Sequence, residues 1–255
     1  MKNYSFGRLL SASSAESADL LYASGFQAPD EFVYAEIGNE KLVVVSILEL
    51  ERAKREARRD VRIVDRMDLL RDVPPQDRNV LLQLSRRCGV SRWLVPERFP
   101  LACADLLREN GIEVEAVRGA FFPERAIKSA AEIEAIRDAM RVTQEAEEQV
   151  REFLKESNVN SRGELEWRGR ILTCDFIRSE VEAEFKRKGF SASGTIVACG
   201  ADSAIPHCIG SGPVRVGEPV VADIFPRSDR TGFWGDMTRT FVKGKASKRL
   251  REMFD

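Results

Sequence analysis

The sequence has no excess of charge of either sign. Lys and Arg number 40 against 41 Asp and Glu, so the net charge is −1. A nucleic-acid binder carries a basic surplus, and this balance argues against that class. No apolar run is long enough to cross a bilayer. The N-terminal stretch MKNYSFGRLLSASSAESADLL lacks the unbroken apolar core of a signal peptide, so none is expected and the protein reads as cytoplasmic. Five cysteines, an odd number with no CxxC among them, read as free thiols of a reducing compartment. Cys199, His207 and Cys208 lie close in sequence, but a structural zinc site needs a second close pair, and there is none. Residues 1–122 hold no glycine-rich phosphate loop and no histidine, and nothing in them looks catalytic.

What is present suits a globular protein. Hydrophobic residues make up 43% and charged residues 32%, so a chain of 255 residues can bury one large core or two ordinary ones. Residues 1–122 alternate short helical and extended signals, which predicts a sheet covered by helices. Ser13 with Glu16 reads as the cap of a helix stopped by Gly25. Glu31–Ile37 and Lys41–Ile47 flank Gly38-Asn39 as a hairpin. Helices are expected over Leu48–Arg59, Pro75–Cys88 and Leu101–Asn110, and strands over Val61–Val64, Trp93–Val95 and Ile112–Val117. The charged run within Leu48–Arg59 reads as a solvated face.

The pattern changes near residue 125. Ser129 with Glu132 is a capping box opening a long helix, with Ile133, Ile136, Met140, Val150 and Leu154 as its apolar stripe. Ser161 with Glu164 is expected to open a second long helix that ends at Gly189. Extended chain and turns follow to Phe241, and a last helix begins near Ser247.

Chemistry concentrates in Gly194–Val242. This segment holds the only histidine, His207, and two carboxylates inside apolar extended runs: Asp223 in VVADIF and Asp236 in GFWGDMTRTF. A hairpin centred between Asp229 and Arg230 would set the two aspartates directly opposite each other, on one face with Val221, Phe225, Trp234 and Thr238. Opposed like charges repel, so either one is protonated or a cation lies between them. A longer turn would instead leave them separately solvated or paired with Arg227, Arg230 or Arg239. Trp234 and Phe233 read as core residues, Thr238 as a strand former that could also support Asp236, and Cys199 and Cys208 as small buried hydrophobes.

The run RAIKSAAEIEAIRDAM, the Pro206-His207 pair, VRVGEPVVADI and DMTRTF together resemble the M24 metallopeptidases, the Xaa-Pro aminopeptidase, prolidase and creatinase group. The resemblance implies an α/β architecture: a creatinase-type N-terminal α/β domain over residues 1–122, then the first part of a pita-bread α+β domain over 125–255. By the same resemblance Asp223 and Asp236 match the first two metal-ligand aspartates of a dinuclear centre, with manganese or cobalt as its two divalent ions. His207 matches the histidine that contacts substrate beside the metals. The implied partner is a peptide with proline at its second position, and the implied assembly a homodimer, with no nucleic acid or membrane.

Two departures stand out. Phe225 replaces the glycine usual two residues after the first aspartate, and the aspartates stand thirteen residues apart rather than eleven. The extra two residues preserve strand parity. The family's remaining ligands, one His and two Glu, come from further along its chain, and no second histidine occurs here. The expectation is a fragment or truncated form of a metal-dependent Xaa-Pro hydrolase, inefficient by itself. A non-catalytic pita-bread relative that binds a peptide or partner is the alternative. A creatinase-like hydrolase working without metals fits less well, because both aspartates are retained.

Overall fold

In the computed structural model, residues 6–74, 79–192 and 194–254 are described, and the chain divides into two compact units, Met1–Ile127 and Lys128–Asp255. Residues 75–78, where the predicted Pro75–Cys88 helix would begin, lie outside the described residues.

The elements of the first unit run β1 (Gly7–Ala12), α1 (Ala18–Ser24), β2 (Phe32–Ile37), β3 (Glu40–Val45), α2 (Leu50–Glu56), β4 (Val61–Asp65), α3 (Arg66–Leu70), α4 (Val80–Cys88), β5 (Arg92–Pro96), α5 (Leu101–Glu109) and β6 (Glu113–Val117). The strands form one sheet in the order β4-β3-β2-β1-β5-β6. Strand β2 is antiparallel to both of its neighbours, and the other pairings are parallel. Alternation along the strands feeds two cores. Leu9, Ala35, Leu42 and Val44 pack with Leu82, Leu84 and Leu107 of α4 and α5, while Leu10, Tyr34, Val43 and Val45 pack with Leu20 and Ala53 of α1 and α2. Buried Trp93 meets its one polar need by donating Nε1–H to Ser85 Oγ at 2.8 Å.

Two sequence expectations for this unit differ from the structure. The cap of α1 is Ser17, whose side chain accepts from Leu20 N, and not Ser13; Ser13 is buried and its carbonyl closes the turn before the helix. Central strand β1 gives no signal in the sequence, because a strand buried on both faces shows no alternation and this one offers only Leu9 and Leu10 as large apolar residues.

In the second unit, α6 (Ala130–Glu156) starts on the expected capping box: Ser129 Oγ accepts from Glu132 N at 3.3 Å, and Glu132 Oε2 accepts from Ser129 N at 2.8 Å. Its buried face is Ala139, Val142, Thr143, Ala146, Glu147, Val150, Phe153 and Leu154. Only Val150 and Leu154 of the predicted stripe belong to it, and Ile133 is exposed. The predicted second helix does not begin at Ser161. A three-stranded meander comes first, β7 (Asn158–Val159), β8 (Leu165–Trp167) and β9 (Arg170–Ile171), then α7 (Cys174–Arg187). Gly163 and Gly169 take φ of 75°, turn conformations that a helix cannot continue through. Thr173 then caps α7 by accepting from Phe176 N.

The rest is β10 (Phe190–Ser191), β11 (Ile196–Cys199), β12 (Pro219–Ile224), β13 (Arg227–Ser228), β14 (Met237–Val242) and α8 (Lys248–Phe254). Strands β11, β12 and β14 form an antiparallel sheet in that order, and β10 pairs with β13. One face of the three-stranded sheet buries Val197, Val220, Ala222 and Ile224 against Val142, Ala146, Ile177, Val181 and Phe185 of α6 and α7. The other face carries the aspartates.

Gly235 fixes how closely the hairpin approaches α6. A Cβ there would stand 2.5 Å from the Ala139 carbonyl oxygen and closer still to Thr143 Oγ1. A hydroxyl can rotate away, but a helix carbonyl cannot move without the helix. Gly235→Ala is therefore expected to destabilise the second unit by about 1–3 kcal/mol. The check is urea unfolding: the midpoint should fall, and adding Thr143→Ala should restore only part of the loss.

Candidate metal centre

Because Val220, Ala222 and Ile224 face the helices, alternation turns Val221, Asp223 and Phe225 to the open face. On β14 the residue opposite Asp223 is Thr238, and its Oγ1–H donates to Asp223 Oδ1 at 2.6 Å. The predicted register, with Asp223 opposite Asp236, is thus displaced by two residues. The turn is the reason. Ser228 N donates to Phe233 O and Gly232 N to Ser228 O, each at 2.9 Å, and Arg227 bridges Trp234. The hairpin centres between Arg230 and Thr231, with Asp229–Gly232 as a four-residue loop. A two-residue turn at Asp229-Arg230 would have needed positive φ without a glycine, whereas here Gly232 supplies it at 72°.

The displacement alters spacing and preserves the face. Gly235 N donates to Pro226 O at 2.9 Å and Met237 pairs with Ile224, so Asp236 stands opposite Phe225. Gly235 is buried against α6, and alternation turns exposed Asp236 to the side of Asp223. The carboxylates form a diagonal pair, with backbones about 7–8 Å apart, instead of a direct one. Repulsion is smaller on the diagonal, and hard oxygen donors so placed suit a divalent cation between them. They make a partial set: among the described residues no three His, Cys, Asp or Glu side chains converge as a metal site. Two of the arginines that could have competed are engaged elsewhere. Arg227 Nε donates to Gly232 O at 3.2 Å and lies over the Trp234 ring, and Arg239 Nη1 donates to Thr238 O at 2.8 Å. Trp234, expected in the core, is 51% exposed on the aspartate face.

His207 lies in a tight turn after the 3₁₀ segment Gly200–Ala204. Cys208 N donates to Ile205 O at 3.1 Å, Pro206 occupies the second turn position, and His207 the third at φ 63°. Proline followed by a left-handed residue defines a type II turn, whose third position ordinarily holds glycine. A histidine there costs about 1 kcal/mol, and such strain gathers at functional sites. The imidazole is exposed, and no hydrogen bond among the described residues joins it to Asp223 or Asp236.

Sequence reasoning misses Glu147. It lies on the buried face of α6 at 5% exposure, and among the described residues neither carboxyl oxygen has a hydrogen-bond partner. Burial pushes its pKa up to about 8, Arg239 of β14 opposing the shift and Asp223 adding to it. The available signal is its place at four-residue spacing after Ala139 and Thr143, inside an apolar stripe. All five cysteines are free; Cys199 and Cys208 are only half-buried, while Cys174 is fully buried and its thiol is pushed up to about 12, chiefly by burial.

The arrangement is a helix-backed antiparallel sheet that presents two aspartates, as hard oxygen donors, on its open face. Residues 134–255 match the profile of metallopeptidase family M24, and the second unit has the pita-bread fold. Among solved structures the chain is similar to a prolidase from Pyrococcus furiosus, at 20% identity and a TM-score of 0.71, over 97% of this chain and 65% of that one. It is likewise similar to an X-Pro aminopeptidase from Thermotoga maritima, at 20% identity and 0.73, over 98% and 65%. A Xaa-Pro dipeptidase from Bacillus anthracis gives 18% identity and 0.74, over 97% and 63%. The chain thus spans somewhat under two thirds of the length of these relatives. No curated protein sequence matches it.

Proposed function

We propose that these residues form the metal-binding front half of a peptidase that cleaves Xaa-Pro bonds. The observation that carries this is the hairpin of β12 and β14, which brings Asp223 and Asp236 to one face with Thr238 holding the Asp223 carboxylate. The two aspartates would hold divalent metal, with manganese or cobalt as the ions and two as their number. When bound, the metal supplies charge that polarises the scissile carbonyl and acidifies water. The chain's own residues do the rest: Thr238 fixes one carboxylate by a charge-assisted hydrogen bond, and His207 hydrogen-bonds the substrate from its strained turn. The remaining His and Glu ligands are supplied from outside these 255 residues. A homodimer and a cytoplasmic setting belong to the same proposal.

The test is hydrolysis of Xaa-Pro dipeptides and of longer peptides with proline second. Two proteins are compared, the 255-residue chain and the same chain extended by the second half of a pita-bread domain. Extended protein with manganese or cobalt should turn over, and a chelator should stop it. Equal turnover by both proteins, or turnover untouched by chelator, would remove Asp223 and Asp236 from the chemistry. Binding of such peptides by the extended protein without cleavage would favour a peptide-binding module.

A further inference from the structure

The chain just beyond the turn carrying His207 is held by two side chains of α7. Arg178 Nη1 donates to the carbonyls of Ile209 and Gly210, at 2.7 and 3.0 Å. Its Nη2 donates to Asp175 Oδ1 at 2.9 Å, and Asp175 Oδ2 accepts from Gly212 N at 2.9 Å. Arg178 is largely buried, its side chain 16% exposed, and the amide hydrogen bond is the main cause that lowers the Asp175 pKa. Residues 209–212 are therefore gripped at three backbone groups by one Asp–Arg pair, two to five residues beyond His207. The loop is also pinned to β11, where Val197 N donates to Ile209 O at 3.2 Å, and Gly210 lies so close that a Cβ would come within 2.6 Å of Ala198 Cα.

This grip is more than a surface ion pair needs. An exposed pair at i,i+3 adds a few tenths of a kcal/mol to a helix. Here the same pair spends its donors and acceptors on a neighbouring loop. A planar guanidinium that bridges two successive carbonyls and a carboxylate fixes orientation as well as distance. A left-handed histidine persists only where its surroundings over-determine it.

We infer that Asp175 and Arg178 are positioning residues for His207: by anchoring the chain just beyond the strained turn, the pair fixes the orientation in which the turn presents the imidazole. The role of that imidazole rests on the function proposed above, whereas the mechanical link from α7 to His207 does not. Because His207 is the only histidine in the chain, its imidazole gives a single histidine signal in carbon- or nitrogen-edited NMR spectra.

In Arg178→Ala that signal should shift and broaden, while the amide signals of β12 and β14 stay in place. Arg178→Lys keeps the charge but has one nitrogen in place of two, so it cannot hold the two carbonyls and Asp175 together, and should lie between Arg178→Ala and the parent. In the extended, metal-supplied protein, Arg178→Ala should lower kcat by about 10–100-fold with little change in KM. An unmoved imidazole signal in Arg178→Ala would overturn the positioning role. If Arg178→Ala does not fold, an unmoved signal in both Arg178→Lys and Asp175→Asn would overturn it equally. A moved signal with unchanged kcat would uphold the link and strike His207 from the chemistry.

Discussion

Asp236→Asn should abolish metal-dependent hydrolysis by the extended protein, lowering kcat/KM by well over about a hundredfold, the upper range for merely supporting groups. The reason is charge and geometry together. Asp236 stands exposed on the diagonal from Asp223, held in place by the buried contact of Gly235 with α6. Asparagine keeps the shape and one carbonyl oxygen but removes the negative charge a divalent ion requires. Asp223→Asn should do the same and also weaken the hydrogen bond that Thr238 donates. A readout independent of turnover is manganese binding to the 255-residue chain. Two carboxylates leave each ion mostly hydrated, so binding near the millimolar range is expected, as at the weakest oxygen-ligand sites. Either Asn variant should lose it. Full manganese binding by both variants would show that the ion sits elsewhere.

Glu147→Met should make the protein more stable, and more so as pH rises from 4.5 to 8. Glu147 is buried, among the described residues its oxygens have no hydrogen-bond partner, and its pKa is raised from 4.5 to about 8. Between those values the unfolded chain releases a proton that the folded chain keeps. Stability contributed by the protonated form is complete below 4.5, declines as pH rises, and is gone by about 8. Keeping the carboxyl protonated in the fold at pH 7, where the unfolded chain would ionise it, costs roughly 3 kcal/mol. Methionine has similar volume and no polar atoms, so the variant should recover much of that at pH 8 and little at pH 4. Arg239 and Asp223 are the charged groups that act on this carboxyl. The measurement is denaturant unfolding at several pH values with a chelator present. A parent and variant whose stability curves stay parallel from pH 4.5 to 8 would show that Glu147 is ionised in the fold.

Much of the fold is legible in the sequence, for identifiable reasons. The capping box at Ser129 and Glu132, the Gly38-Asn39 hairpin and the glycine stops at Gly25 and Gly89 are local signals, and local hydrogen bonds enforce them. Asp223 and Asp236 stand out because a charge inside an apolar strand needs a reason. The hairpin register differs by two because turn chemistry at Gly232 outweighs the appeal of facing the aspartates. The meander before α7 reads as helix because Leu165 and Leu172 fit a helical period, although Gly163 and Gly169 break it. The spacing of Glu147 after Ala139 and Thr143 hints at its burial, whereas Gly235 and the grip of Arg178 on residues 209–210 depend on which segments meet in space. No spacing within one segment can reveal Gly235 or Arg178.

Strand β14 has one further consequence. It closes the order β11-β12-β14, so among the described residues one side of its backbone has no strand beside it. Alternate N–H and C=O groups along MTRTFV are left as a template on which another extended segment can be laid. With two threonines, a phenylalanine and a valine, that segment has the composition of a strand that recruits others of its kind. Arg239 in its middle and Lys243 just past its end are the charges that discourage two such edges from joining. Neutralising them should therefore speed fibril-like assembly of the 255-residue chain, although Arg239 also acts on the Glu147 carboxyl and Lys243 Nζ donates to Lys155 O at 2.9 Å.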